Sequence, residues 1–203
     1  MIALLLLASL CQSDSAVLRV TPTRYELAVR VDYEQQRLAG TARITLRNFA
    51  DTPVDDVPVL LYRLMEIRSA SVNGTAAPWT QRVVPFSDFS KLQVTHALVT
   101  LPRPLPPGGS VDLELHYDGH LLGYAETGMA YVRDHIEPSF TILRDDAFAL
   151  PRVGYPSMAV NRRAAFPSYD YLARITVPEP LVVMNGGRLV ERTAAGGWAT
   201  YVL

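Results

Sequence analysis

His116, Asp118 and His120 are the residues whose types and spacing could most readily hold a metal ion. They alternate along the chain, and on a β-strand residues two positions apart point to the same face. Imidazole and carboxylate groups are both zinc ligands. Gly119, however, bends the chain between them, no helix carries the two histidines, and the H-E-x-x-H motif is absent from the sequence. We therefore expect no metal ligands in this chain.

Residues for nucleophilic or acid/base catalysis have no better support. The nearest approach to the nucleophile motif G-x-S-x-G is Gly154 to Ser157, where the spacing is wrong. Adjacent acids occur at Asp55-Asp56 and at Asp145-Asp146, but neighbours on a strand point to opposite faces, which is more typical of solvated turns than of an acid/base pair. A triad assembled from distant residues has no positive support. The sequence thus predicts no catalytic residues.

The composition fits one globular domain. The chain has 203 residues, of which 49% are hydrophobic and 19% are charged, so it can bury a full core. Its formal charge is -1, and acidic and basic residues are mixed along the chain. A surface that binds nucleic acid needs a basic field, so we expect no nucleic-acid partner.

Residues 1–16 form a separate segment that is either signal-like or membrane-proximal. The apolar run ends at Cys11, which makes it too short to span a bilayer but suitable for the core of a signal peptide. No Lys or Arg precedes this run, and Asp14 fits poorly before a cut after Ala16, so the end of a longer membrane helix is the rival interpretation. Either way, we expect a protein that is exported to the periplasm or outside the cell, or tethered to a membrane.

The elements that would position any site are β-strands. Tyr25, Leu27, Val29 and Val31 alternate with polar or small residues, and the alternation returns from Leu38 to Leu46, which predicts an antiparallel hairpin with one wet face. Its apolar face needs a second layer. We predict an all-β fold, an antiparallel multi-stranded sandwich or saddle built of hairpins, as a single domain over residues 17–203 that is truncated at its C-terminal edge.

The rest of the chain continues this pattern. We expect no amphipathic helix, a strand rather than a helix at 57–67, a stiff connector from Pro102 to Gly109, and an irregular stretch at 157–167. Further strands are expected at 92–101, 111–117, 129–133, 139–144, 169–177 and 198–203, with hairpins that pair 67–72 with 75–84 and 181–184 with 188–191.

The order of these features resembles the N-terminal β domain of the gluzincin zinc aminopeptidases, the family of aminopeptidase N. The motifs that carry the resemblance are Tyr25-Glu26-Leu27 through Gly40 to Ile44, Ile67 to Gly74, Leu105-Pro106-Pro107-Gly108 with Leu113 to Gly119, Tyr155-Pro156, Tyr169 to Pro178, and Asn185-Gly186. Each motif is loose by itself. Their order and spacing cover residues 20–203.

The resemblance implies a saddle-like, non-catalytic domain that packs on a zinc-bearing catalytic domain and walls the cleft for a peptide substrate. Zinc and the signatures G-x-M-E-N and H-E-x-x-H would belong to that missing catalytic domain. Where the family has a Thr-Gln pair near its substrate, this chain has Thr141-Ile142 and then Asp145 and Asp146, which are candidates for the cleft by location only. The alternative is a free-standing secreted β-sandwich that binds a partner or glycan. A domain that packs on another should expose an apolar patch, and a free-standing one should not.

Overall fold

β-strands make up most of the regular structure in the described part of the protein, as the sequence predicts. A computed structural model describes residues 17–125, 135–137, 140–163 and 168–203, which form twelve strands and one short helix. No helix within these ranges is long and apolar enough to cross a membrane. The expected strand at 129–133 lies outside the described residues, as does the segment 1–16.

The strands form two sheets of unequal size. The larger sheet has eight strands: β1 (Val20–Asp32), β2 (Arg37–Asn48), β4 (Met65–Val72), β5 (Thr75–Ala76), β8 (Ser110–His120), β10 (Asp170–Pro178), β11 (Glu191–Ala195) and β12 (Trp198–Val202), in the order β11-β12-β10-β1-β2-β8-β4-β5. The smaller sheet has four: β3 (Val54–Tyr62), β6 (Trp79–Phe86), β7 (Phe89–Leu105) and β9 (Arg152–Val153), in the order β6-β7-β3-β9. The helix is α1 (Met158–Arg163).

The predicted hairpin is the pair β1 and β2, and it lies at the centre of the larger sheet. Leu27 pairs with Ala42 and Tyr25 with Ile44, so the two apolar faces coincide across the antiparallel ladder. Leu38, Ala42, Ile44 and Leu46 are fully buried. The period-2 pattern therefore identifies the inner face correctly.

The two sheets pack face to face but do not cover each other completely. β4 contacts β3, β6 and β7, while β1 contacts β9 at the opposite margin of the smaller sheet. The strands β10, β12 and β11 continue beyond that margin. The inner face of the larger sheet is consequently left without a facing sheet at its β10 end.

One strand pair departs from the antiparallel prediction. β10 joins β1 in parallel, with Arg24 opposite Asp170 and Arg30 opposite Thr176. A parallel neighbour cannot be reached through a tight turn, and here the whole chain between β1 and β10 forms the connection. Local alternation says nothing about such a distant pairing.

Two expectations about strand boundaries are corrected, the single strand at 57–67 and the connector from Pro102 to Gly109, part of which belongs to β7. The apolar stretch 57–67 forms two strands separated by a turn at Arg63-Leu64, and β7 runs through Pro102 and Pro104 to Leu105. β6 pairs with β7 only as far as Val99, and the β3–β7 register shifts between Thr100, opposite Asp56, and Leu105, opposite Val54. Pro102 and Pro104 therefore lie within this irregularity of the ladder, where a missing N–H is tolerated.

The hairpin around Asn73 and Gly74 forms, but it is shorter than predicted. Both residues have positive φ, 49° and 78°, as a two-residue hairpin turn requires. β5 then ends at Ala76, and after Pro78 the chain enters the smaller sheet as β6.

Three predictions in the second half of the chain are wrong. Residues 140–144 form no strand, and part of the stretch thought irregular is the helix α1. Residues 181–190 do not form a hairpin, because β12 turns back through Gly196 and Gly197, with φ of 59° and 80°, to pair with β11. Residues 181–185 instead pass beside the inner face of the larger sheet.

Candidate functional site

A groove of about 590 Å³ occupies the part of the larger sheet that the smaller sheet leaves uncovered. Its floor is the inner face of β1 and β10, and its walls are segments 140–152 and 181–185. The residues that line it are mostly aliphatic and aromatic: Pro22, Tyr25, Leu27, Val29, Val31, Tyr33, Phe140, Thr141, Leu143, Asp145, Leu150, Pro151, Arg152, Tyr169, Tyr171, Ala173, Ile175, Val177, Leu181, Val182, Val183, Met184 and Asn185. A concave, apolar site with few polar groups is the usual form of a binding site.

Tyr25 holds the groove floor to the wall. Its phenol is buried near the backbone N–H of Val153, and its ring centroid lies 4.9 Å from that of Tyr169. Burial raises the pKa of Tyr25, so the phenol stays neutral at physiological pH. This residue is therefore a structural contact between β1, β9 and the start of β10.

Asp145 and Arg152 supply the charged groups that line the groove. The Arg152 Nη1 atom lies 3.5 Å from Asp145 Oδ2, and the Arg152 side chain is only 15% exposed, while that of Asp145 is 58% exposed. Although more than half of the Asp145 side chain is exposed, its partial burial against the groove wall raises its pKa; the guanidinium of Arg152 opposes this shift and Asp146 adds to it. The carboxylate is the more accessible member of the pair, so it is the group that a bound molecule would meet.

The two acids that the sequence places near the cleft are separated by the structure. Asp145 lines the groove, whereas Asp146 does not. The Asp146 side chain is 67% exposed and lies 3.8 Å from the Nε atom of Arg144. Adjacent residues diverge in a turn as they do on a strand, and only Asp145 remains a candidate on geometric grounds.

The rim of the groove carries apolar side chains that face solvent. Phe140 is 65% exposed, Val182 76% and Met184 88%, and Tyr171 is also exposed. Clustered exposed apolar side chains around a groove mark interaction surfaces. This is the kind of patch that the sequence analysis expects of a domain that packs on a partner.

The sequence predicts only part of this site. The strand expected at 169–177 forms, but its alternation does not reveal that Tyr169 to Val177 line a groove. Arg152 carries no recognisable signal, since its pairing with Asp145 depends on the fold of segment 145–152. The wall formed by 181–185 is missed because its apolar residues look like a strand.

The histidines that could suggest a metal site lie elsewhere, on β8. Asp118 is held by Arg37, at 2.8 Å, and by Arg68, at 2.6 Å, so its carboxylate is already neutralised. His116 contacts Thr41, and His120 contacts the backbone carbonyl of Gln35. In the described part of the chain no three His, Cys, Asp or Glu side chains come together in a way that could hold a metal ion.

Comparisons with known proteins place the fold. No protein-family model matches the sequence, and no curated protein matches it. Among solved structures, an M1 zinc metallopeptidase from Deinococcus radiodurans bound to a Tyr-Ser-Ala substrate is similar over 90% of this chain and 38% of that chain, with 22% identity and a TM-score of 0.62. Yeast LTA4 hydrolase in complex with bestatin is similar over 95% of this chain and 29% of that chain, with 9% identity and a TM-score of 0.51.

At these identities the likeness establishes the fold. The chain spans 38% of the length of the M1 metallopeptidase it matches, so the likeness covers only a part of that protein. The chain therefore has the β fold found within M1 zinc metallopeptidases, as its resemblance to the aminopeptidase N family predicts.

Proposed function

We propose that this chain is the non-catalytic N-terminal β domain of a zinc metallo-aminopeptidase, and that it packs on the catalytic domain and walls the cleft for a peptide substrate. The observation that carries the proposal is the structural match, which extends over 90% of this chain but only 38% of the metallopeptidase. Since no described residues here group as metal ligands, the zinc ion would be held by the catalytic domain.

The groove supports a packing role. Its floor is made of sheet residues that in a closed sandwich would be covered by a second sheet, and its rim exposes Phe140, Val182 and Met184. Covering apolar surface stabilises an interface by roughly 25 cal/mol per Å². The groove is thus the part of this domain best suited to contact a catalytic domain, and a free-standing secreted β-sandwich would not need such a rim.

Asp145 is the residue through which this domain would influence substrate. Its carboxylate is the accessible member of the pair with Arg152, and Arg152 fixes its position from the buried side. A carboxylate in this setting orients a cationic or hydrogen-bonding group of a peptide but does not take part in bond cleavage. Asp146, which points away, should contribute less.

The first test is to read the coding sequence beyond Leu203. A frame that continues into G-x-M-E-N and H-E-x-x-H supports the proposal, and a stop codon at that position overturns it for a single polypeptide. In the longer protein, amide hydrogen exchange of β10 and of 181–185 should be slower than in residues 17–203 alone, whereas exchange of β8 should not change. Equal rates at the groove would refute packing at this surface.

The role of Asp145 is tested in the same longer protein. Asp145→Asn should raise KM for peptide substrates by about tenfold, the equivalent of one lost charge-assisted hydrogen bond, with little change in kcat. Asp146→Asn is the matched control and should leave both constants within about twofold. Identical kinetics for the two variants would show that Asp145 does not contact the substrate.

We also propose that the protein is exported or membrane-tethered, on the basis of the apolar run in residues 1–16. N-terminal sequencing of the mature protein from its natural host tests this. A mature chain that begins after residue 16 supports cleavage of a signal peptide, and a chain that retains Met1 in a soluble fraction contradicts it.

A further inference from the structure

The segment 154–163, here called the covering segment, lies over the outer face of the smaller sheet. Gly154 N–H donates to the carbonyl of Pro58 on β3, and Ser87 N–H donates to the carbonyl of Pro156. The segment ends in the helix α1, whose six residues are too few for a helix to be stable by itself in water. Its position therefore depends on contacts with the sheet.

Asp88, in the turn between β6 and β7, holds the start of α1. Its carboxylate accepts hydrogen bonds from Met158 N–H at 2.9 Å, from Ala159 N–H at 2.8 Å and from the Ser157 hydroxyl at 3.1 Å. Burial works against ionisation of Asp88, but these hydrogen bonds outweigh it and hold its pKa below the usual range. Asp88 is thus ionised throughout the mildly acidic and neutral range.

Asn161 closes the covering segment on itself. Its side-chain carbonyl accepts from Tyr155 N–H at 3.1 Å, and its amide donates to the Tyr155 carbonyl at 2.8 Å. Asn161 is buried, at 6% exposure. The pair of hydrogen bonds fixes Tyr155, whose ring is thereby held over the sheet.

His96 lies beneath this tyrosine. It belongs to β7, in register with Arg82 on β6 and Leu60 on β3, and its ring centroid is 6.1 Å from that of Tyr155. Its Nε2 atom is buried, and no described residue offers it a hydrogen bond. Burial, and then the charge of Arg82, lower the pKa of His96.

The charged groups around His96 do not stabilise its protonated form. On β6 the facing group is the cation Arg82, and on β9 the residue opposite Leu60 is Arg152, which is paired with Asp145. Asp56 on β3 accepts from Thr100, and both Asp56 and Arg19 act on Tyr155. Burial raises the pKa of Tyr155, so its phenol carries no charge in acid or at neutrality.

Protonation of His96 would therefore create a buried charged donor without a partner. Such a group is costly inside a protein, and the cost disappears when water can reach it. Because the ring of Tyr155 packs beside that of His96, movement of Tyr155 away from the sheet would let water reach Nε2. The closed position of the covering segment is consequently favoured by neutral His96 and disfavoured by its protonated form.

We propose that His96 makes the covering segment an acid-released latch, which lies closed on the smaller sheet at neutral pH and opens when the imidazole is protonated. Gly154 directly follows β9, which carries Arg152, so opening also loosens the wall of the groove that positions Asp145. The latch thus couples mild acidity to the groove. It stands independently of the aminopeptidase proposal, since it involves only residues of this chain.

The sign of the pH dependence follows from the direction of the shift. Because the pKa of His96 is lower in the closed state than in the open one, closure is fully stable above the ordinary histidine pKa of 6.5 and weakens as the pH falls below it. One proton is taken up on opening, so the opening constant rises by about tenfold per pH unit in that interval. Asp88 does not titrate there and gives no such slope.

Hydrogen exchange tests the latch. The amides of Tyr155, Met158, Ala159 and Ser87 report closure, and their exchange is measured from about pH 7.5 to pH 5 after correction for the intrinsic rate. We expect protection to fall by about tenfold per pH unit below about pH 6.5 in the unmodified chain. Protection of these amides that is independent of pH would overturn the proposal.

Three variants separate the latch from a general effect of acid. His96→Phe keeps a ring under Tyr155 but cannot be protonated, so protection should no longer depend on pH, whereas the exposed His116→Gln should retain the slope of the unmodified chain. Asp88→Ala should raise opening at every pH without changing that slope. A slope that survives in His96→Phe refutes the role of His96. If His96→Phe does not fold, an NMR titration of His96 decides, since a pKa at or above 6.5 would equally refute it.

Discussion

Asn48→Ala tests whether the fold depends on a buried polar residue that no sequence pattern identifies. Asn48 is fully buried at the end of β2. Its amide donates to the carbonyls of Thr52 and Leu105, each at 2.9 Å, and its side-chain oxygen accepts from Ala50 N–H at 2.9 Å. One side chain thereby ties the end of β2 to the loop that follows it and to the end of β7.

The expected loss follows from these three hydrogen bonds. Each contributes about 1 kcal/mol net, and the buried carbonyls that lose their donor add a desolvation penalty, so the free energy of unfolding should fall by about 3–5 kcal/mol. Such a loss is a large fraction of the stability of most domains, about 5–15 kcal/mol. For a chain of this length it lowers Tm by roughly 6–20 °C.

Urea unfolding followed by tryptophan fluorescence and by circular dichroism measures this change. Asn185→Ala is the matched control, because Asn185 is exposed and accepts a single hydrogen bond, from Gly187 N–H at 2.7 Å. The control should lose no more than about 1 kcal/mol. If Asn48→Ala loses as little as the control, with an unchanged m-value, the three hydrogen bonds do not carry the stability assigned to them.

Two further predictions concern the larger sheet and the groove. Gly119→Ala should lower the free energy of unfolding by about 2 kcal/mol or more, because the added Cβ would overlap the backbone at Leu64. Gly186→Ala is the control and should change the free energy of unfolding by less than about 0.5 kcal/mol, because no atom lies within 4 Å of the added Cβ. Equal urea midpoints for the two variants would contradict the steric argument. An NMR titration should place the pKa of Asp145 above its ordinary value of 3.8, and Arg152→Gln should raise it further, because the guanidinium stabilises the carboxylate. Because the pKa of Asp145 is higher in the folded than in the unfolded protein, its contribution to stability is greatest below pH 3.8 and is lost as the pH rises through the folded-state pKa. A measured pKa at or below 3.8 would refute the assignment.

The sequence predicts the strands whose one face is buried and whose partner is close along the chain. Leu38 to Leu46 alternates because β2 has a dry face and a wet face, and its pairing with β1 follows from a short turn. The parallel pairing of Arg24 with Asp170 leaves no such trace, because each strand alternates in the same way whichever neighbour it has. The register between distant strands is set by contacts throughout the folded protein.

The sequence predicts least well the segments that depend on contacts from elsewhere in the chain. The helix α1 is too short to show a periodic pattern, and it begins where Asp88, from another part of the chain, accepts its first N–H groups. Val182 and Met184 look like strand residues because apolar type is all that the sequence reveals, yet they face solvent beside the groove. Exposed apolar residues at an interaction surface cannot be told from core residues by type alone.

The candidate site shows the same limit. Asp145 and Asp146 are equivalent in the sequence, and only the fold of the turn directs one of them into the groove. The ion pair with Arg152 depends on how segment 145–152 returns to the smaller sheet as β9. An ion pair formed in this way can be recognised only in the folded structure.

The parallel pairing of β1 with β10 also sets the order in which the protein can be completed during synthesis. β1 emerges from the ribosome early and finds β2 at once, but its other edge has no partner until residues 170–178 have been made. At ordinary translation rates that interval is roughly seven to thirty seconds. Throughout it the nascent chain presents an open strand edge and the apolar side chains of Leu27, Val29 and Val31, so this edge is exposed to pairing with other chains until β10 has been made.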